Sequence, residues 1–137
     1  EVDGQPLHLF QWDQTHILSA VGSYDLGRGF SLGARFRYTS GTPYTPFTGG
    51  VVDLDAGAYE PIPGRTYASR TAAFHDLSIR AEKTWSAGPL KLGVYLDVRN
   101  VYNRQNPEGV SYSYDYARKA PVAGLPILPV VGLRGEL

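Results

Sequence analysis

The chain has 137 residues, and its 13 basic and 13 acidic side chains give a formal net charge of zero. This balance lacks the basic excess of nucleic-acid-binding proteins, so we expect no nucleic-acid partner. Cysteine is absent, which excludes disulfide frameworks, thiolate metal sites and cysteine nucleophiles. No apolar run approaches the roughly 18 residues of a membrane-spanning helix. Nothing near Glu1 resembles a signal peptide, so we expect either a mature chain or a part of a longer one.

Apolar residues recur along the chain with a period of two, which is typical of strands with one apolar and one polar face. After Gly29, for example, Phe30, Leu32 and Ala34 alternate with polar or small residues. No stretch has the period of an amphipathic helix. We therefore predict an all-β fold, an antiparallel meander of about five long strands near residues 15–26, 30–39, 75–85, 90–101 and 127–137.

Short and long connections alternate between the predicted strands. The short turns lie at Gly27–Gly29 and Ser86–Pro89, where glycine permits the positive φ that tight turns need. The long connections, residues 40–74 and 102–126, are rich in proline, glycine and tyrosine. We expect no regular structure in the first of them. In the second, the stretch VSYSYDY could form a short strand, as one arm of a hairpin.

The two short turns set an expected register for the strands that they join. Across the first turn, Leu26 should lie opposite Phe30. If the second turn closes a hairpin through four residues, Trp85 should lie opposite Leu90. With these registers the charged side chains of the strands fall on a common face, and only Lys83 interrupts the apolar face near its end.

The surroundings of the apolar face distinguish two classes of protein. In a soluble domain that face is the core, whereas in an outer-membrane barrel it contacts lipid and the charged face lines the interior. Alternating runs of about 10–12 residues match the roughly 9–11 that a tilted strand needs to cross a bilayer, while soluble strands usually have about 5–6. Alternating short and long connections are also typical of such barrels. We therefore expect lipid on the apolar face.

This orientation assigns roles to most residues of the strands. The residues expected to line the lumen are Arg35, Arg37, Arg80, Glu82, Asp97, Arg99 and Arg134. The residues expected to face lipid are Leu32, Phe36, Leu77, Ile79, Leu92, Val94, Leu96 and Leu133. Because aromatic rings favour lipid–water boundaries, we assign to the two boundaries Tyr24, Phe30, Tyr38, Trp85 and Tyr102.

Five strands are too few to close a barrel, because even the smallest barrels use about eight. Open strand edges in lipid would leave backbone N–H and C=O groups without partners. We therefore expect the chain to be a piece of a larger barrel in the outer membrane. With residues 102–126 as one outer loop, the last strand descends and leaves the C-terminus in the periplasm.

Four stretches, in this order, resemble the C-terminal end of TonB-dependent receptors. They are FRYTSGTPYTP before the first long connection, FHDLSIRAEKTW, VYLDVRNVYNRQNPEG and the final LPVVGLRGEL. Within the third, DVRNVYNR is similar to the family's N-hydrophobic-aromatic-N/D signature after the penultimate strand. The resemblance covers nearly the whole chain from Asp13 onward. It departs from the family at Leu137, where the family usually ends in phenylalanine.

The resemblance implies a 22-stranded barrel with an N-terminal plug, in the outer membrane of a Gram-negative cell envelope, that imports a scarce solute. The implied partners are lipid, the remainder of the barrel and plug, the TonB system acting through that plug, which is absent from this sequence, and the barrel-assembly machinery. The machinery reads the last strand, so Leu137 would weaken recognition. Because aromatic outer loops contact solutes in the family, the candidate ligand contacts are Tyr44, Phe47, Tyr112 and Tyr114.

No residue pattern points to catalysis, a metal or a cofactor, and we expect none of them. The three histidines are dispersed, and DLDAG at Asp53–Gly57 lacks the full oxygen-ligand spacing of a calcium site. Two other interpretations stay open: a small autonomous or oligomeric outer-membrane barrel, and a soluble β-sandwich binding module with its arginines in water. The solute also stays open among iron chelates, vitamins, glycans and peptides.

Overall fold

The computed structural model describes residues 10–137, and every helix or strand within them is a β-strand. The strands are β1 (Ile17–Gly27), β2 (Phe30–Thr39), β3 (Pro43–Tyr44), β4 (Phe47–Asp53), β5 (Ala58–Pro63), β6 (Ser69–Arg70), β7 (Phe74–Ala87), β8 (Leu90–Arg99), β9 (Pro107–Tyr112), β10 (Lys119–Ala123) and β11 (Leu128–Glu136).

The described chain divides into two compact units. The first, called the strand unit, comprises Ile17–Thr39, Phe74–Asn106 and Leu125–Leu137. The second, called the loop unit, comprises residues 10–16, Ser40–Ala73 and Pro107–Gly124. The two long connections predicted from the sequence fall largely in the loop unit.

The strand unit is a five-stranded antiparallel sheet with the order β1-β2-β7-β8-β11. Its strands are between 9 and 14 residues long, and each pairs with the next strand of the sheet along the chain. The predicted all-β antiparallel meander of about five long strands is therefore confirmed. Among the described residues, β1 and β11 each pair on one side only, so this sheet does not close into a barrel. Membership of a 22-stranded barrel stays a prediction.

The β1–β2 hairpin has the expected register along most of its length. A bulge near the turn leaves Gly27 opposite Phe30, so the predicted pair of Leu26 with Phe30 was wrong. Arg28 and Gly29 have φ values of 54° and 77°, as the two central residues of a type I′ turn require. The turn is thus one residue shorter than predicted, and the bulge accommodates the additional residue.

In the β7–β8 hairpin the predicted register was wrong by two residues. Trp85 pairs with Leu92 rather than with Leu90, because the turn contains only Gly88 and Pro89. The φ of Gly88 is 62°, which suits the first central position of a type II′ turn, and the fixed φ of proline suits the second. Since a shift of two residues keeps each side chain on its face, the predicted apolar and charged faces are unchanged.

The first long connection contains regular structure that we did not expect. β3 pairs with β6, and β4 pairs with β5, so the expectation of no regular structure in residues 40–74 was wrong. These strands have only two to seven residues and contain glycine and proline, which obscure a period of two. In the second connection β9 and β10 form a hairpin. The stretch VSYSYDY contributes its first three residues to β9.

The burial of side chains in residues 10–137 is inverted relative to an ordinary domain. No hydrophobic side chain in this part of the chain is buried. The buried polar or charged residues are Asp76, Ser78, Asn100 and Asn106. Soluble domains normally bury aliphatic and aromatic side chains and leave polar ones at the surface. The sheet therefore has no apolar core of its own.

Candidate functional site

The charged residues that we predicted to line a lumen share one face of the sheet, called the polar face. Cross-strand pairing joins Arg37 to Asp76 and Arg80 to Asp97, and successive residues of a strand point to opposite faces. The register places on this face all seven predicted residues: Arg35, Arg37, Arg80, Glu82, Asp97, Arg99 and Arg134. Their contact with a water-filled lumen stays a prediction.

A group of paired charges occupies the polar face toward the short turns. The carboxylate of Glu82 lies 3.0 Å from the Arg80 guanidinium and 4.0 Å from that of Arg134. Arg134 also pairs with Glu136, and the Arg80 guanidinium covers the ring of Tyr95, 3.9 Å from its centroid. Because both arginines are well exposed, these pairs contribute little to stability. Their two positive and two negative charges leave this part of the face electrically balanced.

A recess on the polar face has an excess of positive charge. It encloses about 250 Å³ and is lined by residues that include Arg35, Arg80, Arg99, Asp97 and Ser78. Arg35 and Arg99 form no ion pair with the described residues, and a buried Oδ1 of Asp97 has no hydrogen-bond partner there. Because Arg80 is already paired with Glu82, two further guanidinium groups, those of Arg35 and Arg99, lie beside one carboxylate, and their excess positive charge attracts anionic groups. The recess can therefore bind a polar group that carries negative charge.

Three buried polar residues, Asp76, Asn100 and Asn106, join the strand ends that lie away from the short turns; we call them the polar clasp. The Asp76 carboxylate accepts the backbone N–H of Asn100 at 2.9 Å. The Asn100 side chain donates to the carbonyls of Arg104 at 2.8 Å and Leu125 at 3.0 Å, and accepts the Arg104 N–H at 2.9 Å. The Asp76 side chain thus ties the start of β7 to the residue that follows β8, and the Asn100 side chain ties that residue to the segment before β11.

Two further asparagines, Asn103 within DVRNVYNR and Asn106 two residues after it, also bind backbone groups. The Asn106 side chain accepts the N–H of His75 at 3.0 Å and donates to its carbonyl at 2.8 Å. Asn103 accepts the N–H of Ile127 at 2.9 Å. Asn100 and Asn103 both have a φ of 51°, in the left-handed region that asparagine adopts more readily than most residues. The motif DVRNVYNR therefore encodes backbone geometry and buried hydrogen bonds.

The residues that we predicted to face lipid share the opposite face of the sheet, called the apolar face. Leu92, Val94 and Leu96 are 46%, 36% and 43% exposed, so no second layer of the described chain covers them. The register places on this face the whole predicted set: Leu32, Phe36, Leu77, Ile79, Leu92, Val94, Leu96 and Leu133. Contact with lipid stays a prediction.

At the short-turn end of the apolar face, a lysine lies among aromatic rings. Lys83 pairs with Phe30 and Val94. Its ammonium lies 3.9 Å from the ring centroid of Phe30 and 5.8 Å from that of Trp85, and it donates to the carbonyl of Arg28. The sequence indicated Phe30 and Trp85 as boundary residues, but Lys83 only as an interruption.

At the opposite end of the apolar face, His75 lies between Tyr102, predicted as a boundary residue, and Phe36, predicted to face lipid. Its Nδ1 lies 2.6 Å from the Tyr102 hydroxyl, and its ring centroid is 6.4 Å from that of Phe36. Burial, followed by the charge of Asp76, raises the pKa of the Tyr102 phenol, and Arg104 opposes this shift. We missed His75 because a single histidine in an alternating strand gives no signal. The other predicted boundary residues on this face are Tyr24 and Tyr38.

An aromatic cluster lies within the loop unit. The ring of Phe47 is 5.0 Å from that of Tyr112 and 5.4 Å from that of Tyr116 between centroids. The Phe47 N–H also donates to the Tyr112 hydroxyl at 3.2 Å. A Cβ at Gly50 would lie 2.9 Å from the Asp115 carbonyl oxygen and 3.1 Å from the Tyr116 ring. The glycine therefore lets β4 pack closely against the turn between β9 and β10.

The four predicted ligand contacts lie in three different places. Phe47 and Tyr112 belong to the aromatic cluster. Tyr114 instead contacts Tyr59 edge-on, with centroids 5.4 Å apart, and Tyr44 lines a cavity of about 240 Å³. We missed Tyr59, for which the sequence gives no signal, and Tyr116, which the period of two in YSYDY could have indicated.

Asp115 organises the turn between β9 and β10. Its carboxylate accepts the Ser113 hydroxyl at 2.5 Å and the Ala117 N–H at 3.2 Å. These hydrogen bonds, the one from the hydroxyl first, lower the pKa of Asp115 below its ordinary value. The Ser113 hydroxyl also accepts the Arg118 N–H at 2.9 Å. The turn is thus held in one conformation while it presents Tyr114 to solvent.

No family model, curated protein or solved structure matches this chain. Residues 10–137 include no helix that is both long and apolar enough to span a bilayer. In the same residues, no three or more His, Cys, Asp or Glu side chains are grouped so that they could hold a metal ion. A functional interpretation therefore depends on the geometry of the two faces and of the loop unit.

Proposed function

We propose that this chain forms part of the wall and outer loops of a TonB-dependent receptor, an outer-membrane barrel that imports a scarce solute. The inverted burial of residues 10–137 carries the proposal, because polar side chains are buried while no hydrophobic one is. Burying a Val, Leu, Ile or Phe side chain contributes about 1.5–3 kcal/mol. A whole face of such side chains left in water would forgo this stabilisation, whereas lipid provides it.

The dimensions of the apolar face support a membrane location. His75 and Trp85 lie near its two ends on β7. The ten residue steps between them extend about 33 Å at about 3.3 Å per residue. At a strand tilt of about 40°, this corresponds to about 25 Å along the membrane normal, the height of the apolar band in outer-membrane barrels. Aromatic rings at both ends then lie at the two boundaries.

The choice of the TonB-dependent class rests on the resemblance around DVRNVYNR and on the hydrogen bonds that this motif makes. In such a barrel, β1 and β11 would pair with the remaining strands, because open edges in lipid are very costly. The basic recess would face the lumen and receive polar groups of the plug or of the solute. The loop unit, which holds six of the ten tyrosines, would supply outer loops that contact the solute.

Spin labels on neighbouring residues of β2 test the membrane location. This chain has no cysteine of its own, so Ser31→Cys and Leu32→Cys are each introduced into the whole barrel, with any cysteine elsewhere in it replaced, and labelled singly in vesicles. We expect oxygen, which partitions into lipid, to collide more often with the label at Leu32. A water-soluble nickel chelate should collide more often with the label at Ser31. A label at Leu32 that is shielded from both reagents would contradict the proposal and favour the β-sandwich.

The receptor class needs a second test, because a passive barrel would give the same labelling pattern. We expect uptake of the scarce solute to require both this protein and the TonB energy-coupling complex. Growth on candidate iron chelates, vitamins, glycans and peptides as limiting nutrients, in strains lacking either component, measures this requirement. Uptake that needs the protein but not the complex would contradict the class and favour a passive or oligomeric barrel.

A further inference from the structure

We infer that Lys83, together with the adjoining β1–β2 turn, binds the phosphate of an anionic phospholipid at the short-turn boundary of the membrane. Lipid binding there presupposes the membrane location of the apolar face proposed above, but it is a function separate from solute transport. The ligand class is a phospholipid with net negative charge, such as phosphatidylglycerol.

Lys83 is unusual for its position. Among the sheet residues that the structure describes, no other Lys, Arg, Asp or Glu lies on the apolar face. The ammonium of Lys83 lies over the Phe30 ring and near that of Trp85, at 3.9 Å and 5.8 Å from their centroids. One of its three N–H donors binds the Arg28 carbonyl. Two donors stay available for a ligand.

The β1–β2 turn brings the backbone of a second basic residue, Arg28, to this place. The carbonyl of Gly29 accepts the N–H of Thr84 at 2.8 Å, and a Cβ at Gly29 would overlap the backbone carbonyl of Thr84. Only glycine therefore allows the turn to approach β7 so closely, and the turn places the backbone carbonyl of Arg28 on the Lys83 ammonium. Arg28 forms no ion pair with the described residues. The carboxylate of Asp25 accepts a backbone N–H of its own turn.

The surroundings of Lys83 select a lipid rather than a soluble anion. Leu32, Leu92 and Val94 lie along the same face next to this cation and are exposed, so they can contact an acyl chain. A long cationic side chain extends its ammonium to the boundary, where phosphate groups lie. The aromatic rings lie at the depth where they favour the interface. Positive charge above an apolar surface is complementary to an anionic phospholipid.

Photo-cross-linking of lipids in reconstituted vesicles tests this inference. Phosphatidylglycerol and phosphatidylcholine, each with a diazirine in an acyl chain, are compared at equal fractions, and cross-links to residues 28–32 and 81–87 are quantified by mass spectrometry. We expect about a fivefold preference for phosphatidylglycerol per cation that contacts it. The preference should decrease at high salt, because salt screens exposed charges.

Three variants separate charge from structure. Lys83→Gln keeps most of the stem and should reduce the preference about fivefold, the share of one cation, whereas Lys83→Arg should retain it. Lys91→Gln is the matched control, since Lys91 lies at the same end of the sheet on the polar face and should leave the preference unchanged. An undiminished preference in Lys83→Gln would overturn the inference.

The outcomes also distinguish this inference from the proposed function. Equal cross-linking by the two lipids in the unmodified protein would overturn the lipid site while leaving the membrane location supported. Cross-links from neither lipid to the apolar face would contradict the membrane location itself, and the lipid site with it.

Discussion

At Asn100, one side chain satisfies three backbone groups, and its replacement is the sharpest test of a single residue. Asn100→Gly keeps the positive φ but removes the hydrogen bonds to Arg104 and Leu125. Because each of these three part-buried hydrogen bonds contributes about 0.5–1.5 kcal/mol, we expect a loss of about 2–4 kcal/mol. Asn100→Ala should lose about 1–2 kcal/mol more, since it places a β-carbon in the left-handed region. Equilibrium unfolding in urea measures both losses.

Asn103→Gly is the matched control for this prediction. Asn103 has the same φ of 51°, but its side chain makes one hydrogen bond, to the N–H of Ile127. We expect a loss of about 1 kcal/mol for it. Equal losses for Asn100→Gly and Asn103→Gly would contradict the central position of Asn100 in the polar clasp.

A second prediction concerns the pH dependence of the turn at Asp115. Its pKa is lower in the folded turn than the ordinary value of 3.8, so ionisation favours the folded turn. This contribution is complete above the unfolded-state pKa and is lost as the pH falls through the lower folded-state pKa. We therefore expect the turn to keep its conformation at pH 5 and to loosen only at pH values below about 4.

Carboxyl-carbon NMR titration of Asp115, in the folded protein and in urea, measures the two midpoints. The folded midpoint should lie at the lower pH. Ser113→Ala removes the hydroxyl that is the first cause of the shift, and it should move the folded midpoint toward the unfolded one. A folded midpoint that Ser113→Ala leaves in place would contradict this account of the turn.

The sequence predicts the face of a residue better than it predicts the partner of a side chain. Alternation was enough to assign Arg80 and Asp97 to one face and Leu96 to the other. It gave no indication that Asp76 or Asn106 is buried, because their partners are backbone groups 24 and 31 residues away. Hydrogen bonds over such separations depend on the register of the sheet, which the sequence specifies only indirectly.

At the scale of one strand, β11 contains two glycines that should respond differently to substitution. Gly132 pairs with Tyr95, and a Cβ at Gly132 would overlap the Tyr95 ring, which the Arg80 guanidinium covers. Overpacking of this kind costs about 1–3 kcal/mol, so we expect that loss for Gly132→Ala. A Cβ at Gly135 would meet open space, so Gly135→Ala should change stability by less than about 0.5 kcal/mol.

Unfolding measurements on a double variant show whether the Tyr95 ring causes the loss. Tyr95→Ser removes the ring, so Gly132→Ala should cost much less in that background than in the unmodified protein. Equal costs in the two backgrounds would mean that the ring and the glycine are not coupled, and would contradict this packing of β11 against β8.

The elements differ in how far the sequence determines them. The five long strands follow from alternation sustained over about ten residues, which exceeds the usual strand length. The short strands β3 to β6 could not be predicted, because two to seven residues interrupted by glycine and proline give no detectable period. The β7–β8 register was wrong because Gly88 and Pro89 form the turn without Ser86 and Ala87, and both turn lengths fit the same glycine.

At the scale of the whole chain, the two unpaired edges and the absent apolar core both favour a place in the wall of a larger barrel in lipid. Within residues 10–137, neither the outer side of β1 nor that of β11 is paired, and no hydrophobic side chain is buried. A soluble domain can leave its strand edges to water, but it needs an apolar core, whereas in lipid an unpaired edge is costly as well. In a barrel, neighbouring strands pair with the edges and lipid contacts the apolar face, so the same sequence becomes consistent with a stable structure.

The last prediction compares substitutions at different depths in the bilayer, because the cost of a charge varies with depth only in a membrane. Arginine on the lipid face of a barrel costs about 2–4 kcal/mol at the midplane and about 0–1 kcal/mol near a boundary. Leu96 lies near the middle of the apolar face and Leu90 beside the short turn. We expect Leu96→Arg to cost several times more than Leu90→Arg in unfolding from vesicles. Val130→Arg, opposite Asp97 on the polar face, should be nearly neutral. Equal costs for Leu96→Arg and Leu90→Arg would contradict a membrane-spanning sheet, because a face in water or in a protein core has no gradient along the membrane normal.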